Sequence, residues 1–241
     1  MKIDFKGKIV LITGGTSGIG KQLVKDFLKL NAKVICTTTK IDKYKDKKNL
    51  YFKDLDLNNI LNFNKFLNEI KKFKKVDVLI NNAGINKIDP INQIQSEDWQ
   101  KIYNVNIRGP LFLTKEISKI MIKKRFGKII NISSIFGVVS KEMRSMYSTT
   151  KSALLGLTKS SALDLAKYNI LVNSVSPGFV DTPLTRKILG KNEIRKIKKE
   201  IPVNKMAKTE EISKLIIFLS SDHNSYITGQ NFIIDGGFTS K

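Results

Sequence analysis

The chain has 241 residues, 41% of them apolar, which suits one globular α/β domain and excludes a disordered chain. One cysteine, Cys36, excludes an internal disulfide, and one histidine, His223, leaves no His/Cys cluster for a metal. The net charge of +22 admits an acidic substrate or partner, but only five of the 43 basic residues are arginine, the bidentate reader of nucleic acid, so no specific nucleic-acid partner is expected.

The opening "MKIDFKGKIVLITGG" holds an apolar run of only four residues, Ile9 to Ile12, so no signal peptide is read there. No window approaches 18 apolar residues, and no membrane span is expected. With the lone cysteine this points to a reducing, cytoplasmic setting. Runs rich in Ile and Val predict strands at 8–13, 33–38, 76–81, 128–133, 170–175 and 231–235, with "NLYF" (49–52) a weaker candidate. Helical spacing links Ile19, Leu23, Phe27 and Leu30, and then Phe63, Phe66, Leu67 and Ile70. Ser96 opens a further helix, with Glu97 and Asp98 in its first turn and Trp99, Ile102, Val105 and Ile107 following. Thr209, with Glu210 and Glu211, opens the last. Strands alternating with helices give βαβ units, hence an α/β fold with a parallel sheet and helices on both faces.

After the first strand comes "TGGTSGIG", in which Gly14, Gly18 and Gly20 are spaced G-x3-G-x-G. A sharp turn into a helix N-terminus suits a pyrophosphate, and it also fits a glycine-rich βα turn with no ligand. Further on, "YSTTK" places Tyr147 and Lys151 four apart, on one helix face. A cation near a phenol favours the phenolate and makes a tuned acid/base; the pattern alone also fits a surface tyrosine and a solvated lysine. The densest basic run, "TRKILGKNEIRKIKKE" (185–200), has seven Lys/Arg against two Glu. It reads either as an electropositive cover for an acidic substrate or carrier, or as the solvated face of an amphipathic helix that buries Ile188, Leu189, Ile194 and Ile197.

"TGGTSGIG", "NNAG" (81–84), Asn106 of "NVNIRG", Ser134 of "INISS", "YSTTK" and "SPGFVDT" (176–182) stand in the order and spacing of the short-chain dehydrogenase/reductase family. The chain resembles that family from about Lys6 to Phe238, through the closing "ITGQNFIIDGG". The resemblance implies a single-domain Rossmann fold over 1–241, a doubly wound seven-stranded parallel sheet, with a substrate-binding lid at about 179–208. It implies a nicotinamide cofactor and gives each matched residue a role. Tyr147 exchanges a proton with the substrate oxygen, Ser134 hydrogen-bonds that oxygen, Lys151 supplies positive charge and binds the nicotinamide ribose, and Asn106 anchors a water that returns protons to Lys151. Gly14, Thr16, Ser17, Gly18, Ile19 and Gly20 would hold the pyrophosphate side, and Asp56 and Leu57 the adenine. Asn82, Ala83 and Gly84 would pack beside the adenosine ribose; Pro177, Gly178, Val180 and Thr182 would line the nicotinamide side, with Tyr147 and Lys151.

NAD-preferring members carry an acid at the end of strand two; here that position is Thr38 and no acid follows until Asp42. Thr38, Thr39 and Lys40 suit a 2′-phosphate, so NADP(H) is favoured over NAD(H), although Ser17 stands where many NADP-binding members have a basic residue. The chain is most similar to the 3-oxoacyl-[acyl-carrier-protein] reductase branch around "MIKKRFGKIINISS" (121–134), where Arg125 matches a carrier-contacting arginine; a second such arginine is replaced by Tyr168, beside Lys167. A small carbonyl or alcohol substrate follows, carrier-bound or free. Sugar, polyol and hydroxy-acid dehydrogenases share the same frame. A non-catalytic dinucleotide-binding regulator would have no need of the Ser134–Tyr147–Lys151 set. The resemblance also suggests a homotetramer built through the long helices that start near Ser96 and Tyr147.

Overall fold

The computed structural model describes residues 3–240. Seven strands form one sheet: β1 (Ile9–Ile12), β2 (Lys33–Thr38), β3 (Leu50–Asp54), β4 (Val78–Asn81), β5 (Gly127–Ile132), β6 (Ile170–Pro177) and β7 (Asn231–Ile234). Their order is β3-β2-β1-β4-β5-β6-β7, and every neighbouring pair is parallel. This is the expected α/β sheet, and the weak "NLYF" segment forms β3, paired with β2 along its length. The chain runs outward from β1 to β3 and then returns to lay β4 on the other side of β1. Ligands bind at such a switch point, beyond the carboxyl ends of the strands.

Helices cover both faces. α1 (Gly18–Lys29) and α8 (Thr209–Ser220) press Leu23, Phe27, Ile212 and Ile216 against one face. On the other lie α2 (Ile60–Ile70), α4 (Gly109–Lys124) and α5 (Ser145–Leu165), with Phe63, Phe66, Leu113, Ile117 and Leu165. Phe27, Phe63 and Phe66 are fully buried, each contributing about 2–3 kcal/mol of transfer free energy. The helical spacing in the sequence is therefore the core contact of each helix.

Two irregularities position functional segments. α3 (Ser96–Tyr103) runs into α4 through a π-helical turn at Asn104–Arg108. Pro110, near the start of α4, has no N–H to give the carbonyl of Asn106 four residues earlier, so the helix changes register there. After β6, the basic segment forms two helices, α6 (Pro183–Ile188) and α7 (Lys191–Glu200), not one. The break falls at Leu189 and Gly190, both in extended conformations. It lets Leu189 turn inward with Ile197, Ile201 and Met206, packed against Phe179 and Phe238.

Candidate active site

The carboxyl ends of β1, β2, β4, β5 and β6 open into one cleft of about 730 Å³. Its first wall is the turn after β1. Gly14 has φ +63°, and a Cβ there would lie 3.1 Å from Ala83 Cα. Gly20 sits behind the cleft, where a Cβ would fall 2.4 Å from the Gly14 carbonyl oxygen. The turn is tied to the end of β4: Thr13 Oγ1 accepts from the N–H groups of Asn82 (2.9 Å) and Ala83 (3.0 Å), and Asn82 Nδ2 donates to the Thr13 carbonyl (2.8 Å). Ser17 precedes α1 with no side-chain cap and no acid follows in the first turn, so the N–H groups and positive dipole end face the cleft uncompensated. That donor set fits a pyrophosphate, and the turn that presents it packs so closely on Ala83 that Gly14 has no room for a Cβ.

At the end of β2 the cleft is lined by Thr37, Thr38, Thr39, Lys40 and Tyr44. Thr37 Oγ1 accepts from Gly14 N (3.2 Å), and Thr38 Oγ1 from Lys40 N (3.2 Å), while Asp42 is exposed and turned away from the lining. Asp56 does line the cleft, but its carboxylate accepts from Asn58 N (2.9 Å) in its own turn.

The other end gathers Ser134, Tyr147 and Lys151. Ser134 follows β5, and its Oγ accepts from Phe136 N (3.1 Å), capping a short 3-10 turn. Lys151 is 3% exposed; its Nζ donates to the Ile132 carbonyl (2.8 Å) and stands 5.5 Å from the centre of the Tyr147 ring. Burial pulls the Lys151 ammonium down to about 8. Burial also raises the Tyr147 phenol, with the Ser134 hydroxyl and the Arg144 guanidinium pulling it back. The cation that pulls the phenol back is Arg144, while Lys151, 5.5 Å from the ring centre, turns its Nζ to the backbone of β5.

Asn106 is fully buried and lies outside the cleft lining. Its side chain is committed, accepting from Ile85 N (2.9 Å) and donating to the Ile85 carbonyl (2.9 Å) and Thr150 Oγ1 (3.1 Å). What it offers is its backbone carbonyl, deprived of an α-helical donor by Pro110. It also lies close to Lys151: a Cβ on Gly84 would sit 3.4 Å from Lys151 Nζ and 3.5 Å from Asn106 Oδ1.

Thr16, Ser17, Gly18, Ile19, Leu57, Asn82, Ala83, Gly84, Pro177, Gly178, Val180 and Thr182 all line the same cleft, beside Gly14, Thr38, Thr39 and Asp56. Of the residues expected at the site, Gly20 and Asn106 stand behind it. Phe136 and Arg144 line it without having been read from the sequence as site residues, while Phe179, Leu184, Ile188 and Leu189 fall within the lid expected at 179–208. Arg125 lies elsewhere. It ends α4 at φ 48°, before the amino end of β5, and its Nη2 donates to the Lys167 carbonyl (3.0 Å). Tyr168, before the amino end of β6, packs on the core. Both are at the edge of the sheet opposite the cleft. Among the described residues no cluster of metal-ligating side chains occurs, and no helix is long and apolar enough to cross a membrane.

Comparison with known proteins agrees with this geometry. The family model described as Enoyl-(Acyl carrier protein) reductase matches residues 14–239. The 3-oxoacyl-[acyl-carrier-protein] reductase FabG of Aquifex aeolicus is 35% identical over 247 residues, covering 98% of this chain and 99% of that protein. Among solved structures, ElxO with NADP bound superposes with a TM-score of 0.89 at 36% identity, covering 97% of this chain and 99% of that one. A 4-hydroxyisoleucine dehydrogenase complexed with NADH gives a TM-score of 0.91 at 34% identity, covering 98% and 100%.

Proposed function

The chain belongs to the short-chain dehydrogenase/reductase family and is an NAD(P)-dependent oxidoreductase that interconverts a carbonyl and a secondary alcohol, and from that premise we propose a narrower function: an NADPH-linked reductase in which Tyr147 delivers the proton. The observation that carries this reading is the convergence of Ser134, Tyr147 and Lys151 in the cleft that also holds the glycine turn.

The N-terminus of α1 and the Gly14–Gly20 turn hold the pyrophosphate. Thr38, Thr39 and Lys40 take the 2′-phosphate, since β2 ends in no carboxylate that would repel it. Bound there, the nicotinamide supplies hydride. Ser134 holds the substrate oxygen beside the phenol, and Tyr147 protonates it as negative charge develops. Lys151, close to its own point of half-protonation, binds the ribose and restores the proton, with the Asn106 carbonyl, which Pro110 denies an α-helical donor, as the anchor for a relaying water. Phe179 to Lys208 forms the cover over the substrate. The chain assembles as a homotetramer through α4 and α5, whose apolar Leu111 and Leu163 are exposed in the isolated chain, and it works in the cytoplasm.

The relatives favour a 3-oxoacyl thioester as substrate, on a carrier protein or free. A second reading, a hydroxy-acid dehydrogenase, is favoured by Arg144 inside the cleft. A carbonyl panel followed by NADPH absorbance tests the proposal. Turnover of thioesters or oxo acids with kcat/KM for NADPH at least about 10-fold above NADH is expected. Equal or NADH-favouring values would refute the coenzyme assignment.

A further inference from the structure

Arg144 lines the cleft, and beyond its pull on the Tyr147 phenol nothing yet described uses its guanidinium. It stands at the start of α5, three residues before Tyr147, and only 8% of it is exposed. Its guanidinium carbon lies 5.5 Å from the centre of the Phe136 ring, and that ring is 6.4 Å, centre to centre, from Tyr147. Cation and acid therefore flank one aromatic side chain.

Among the described residues this guanidinium meets no carboxylate within 4.0 Å and donates no hydrogen bond. Tyr147 is the first charged partner acting on it, Glu142 and Glu193 follow without forming an ion pair, and Glu193 is turned toward Lys141 at 3.5 Å. Holding a cation in apolar surroundings with its donors unmet is unfavourable, and burial pushes Arg144 below its ordinary value. A planar fork of donors in a ligand cleft matches a carboxylate. The dinucleotide does not account for it. The turn suited to the pyrophosphate is built from β1 and α1, and Lys151 lies on the other side of Tyr147 along α5.

We propose that Arg144 binds the carboxylate of the substrate, which makes the substrate a short oxo acid, or in reverse a hydroxy acid, rather than an uncharged ketone or thioester. Arg144 caps the start of α5 three residues before Tyr147, and both side chains meet the Phe136 ring, so the carboxylate and the reacting carbonyl bind at one end of the cleft. Phe136, Phe179, Leu184 and Ile188 form the apolar wall that receives the rest of the chain. The inference rests on the oxidoreductase reading given above.

The test compares short oxo acids with their methyl esters in the wild-type enzyme, Arg144→Gln and Arg144→Lys, with NADPH. The readout is the acid-to-ester ratio of kcat/KM, in which any effect of Arg144 on the Tyr147 phenol cancels. The wild type should prefer the acids. Arg144→Gln should lower the ratio by about 10- to 100-fold, chiefly through KM of the acids, and Arg144→Lys should recover part of it. NADPH binding by fluorescence shows that each variant is folded. A wild type that prefers esters or thioesters, or a ratio unmoved in Arg144→Gln, overturns the inference and leaves the oxidoreductase reading intact. A wild type that reduces no carbonyl on the panel overturns both.

Discussion

Replacing Lys151 with Met should make the protein more stable near neutrality while abolishing its turnover. The buried ammonium is drawn from 10.5 to about 8. An unfolded chain therefore binds a proton at this site more tightly than the native one. Between those values the unfolded state holds more protons, so this group adds stability as pH rises and its penalty is complete below about 8. At 1.36 kcal/mol per unit the penalty is roughly 3 kcal/mol at pH 7 and falls to about 1 kcal/mol at pH 10. Methionine removes the charge but leaves the Ile132 carbonyl without its 2.8 Å donor, at a cost of about 1–3 kcal/mol. That cost does not depend on pH, so it cancels when two pH values are compared. Urea unfolding of wild type and Lys151→Met at pH 7 and pH 10 reads the difference directly. The variant's advantage should shrink by about 2 kcal/mol between the two. An advantage that stays constant, or grows, would refute the burial of a charged Lys151.

Three further outcomes follow from the site. Tyr147→Phe should lower kcat by about 10³-fold, the scale of a lost general acid, with the Kd for NADPH changed less than about threefold, as rate assays and fluorescence titration will show. Lys40→Glu should reduce the NADPH-to-NADH ratio of kcat/KM by about 100-fold, because it sets a carboxylate where the 2′-phosphate is to bind; an unchanged ratio would remove Lys40 from the site. Gly20→Ala puts a methyl group 2.4 Å from the Gly14 carbonyl oxygen, backbone that cannot yield. It should weaken NADPH at least about 10-fold and lower stability by about 1–3 kcal/mol, measured by titration and urea unfolding.

What the sequence displayed were the features that depend on local chemistry. Ile- and Val-rich runs become strands buried on both faces, because a parallel sheet leaves neither face to water. Gly14 was legible because a positive φ beside Ala83 tolerates no side chain, and Tyr147 with Lys151 because a helix brings i and i+4 together. Properties created by tertiary contact were not legible. That Lys151 turns to Ile132, and that burial moves both titrating groups against their usual charged forms, follows from the packing of α5 on β5. The break at Leu189–Gly190 is hidden within a run whose periodicity suits one helix. Arg144 looks like any surface arginine until the fold buries it beside Phe136 in the cleft. Pro110 was visible all along, yet its effect on Asn106 emerges only once the helix is known to continue through it.

Most of the proposed reactive set stands at one helix end, and a separate group of contacts holds it in place. Tyr147 and Lys151 lie in the first turns of α5 and Arg144 caps it, while Ser134 follows β5 in the turn beside it. Ser133 Oγ donates to the Lys151 carbonyl (2.8 Å), and Ser152 Oγ donates to the Gly137 carbonyl (2.9 Å). Gly137 approaches so closely that a Cβ would lie 2.9 Å from the Lys151 carbonyl oxygen. Beneath them a buried ladder runs from Asn81 Nδ2 to Asn131 Oδ1 (2.8 Å) and from Asn131 Nδ2 to Thr158 Oγ1 (2.9 Å), joining β4, β5 and α5. None of these groups touches the reacting atoms, yet together they fix the distance between Ser134 and the phenol. On the proposed reading the sheet holds the proton donor, and Arg144, three positions earlier, would select what is reduced. A carboxylate-binding Arg144 would select the substrate while sharing the Phe136 ring with Tyr147 and acting on its phenol, so the acid-to-ester ratio, not kcat alone, separates the two effects.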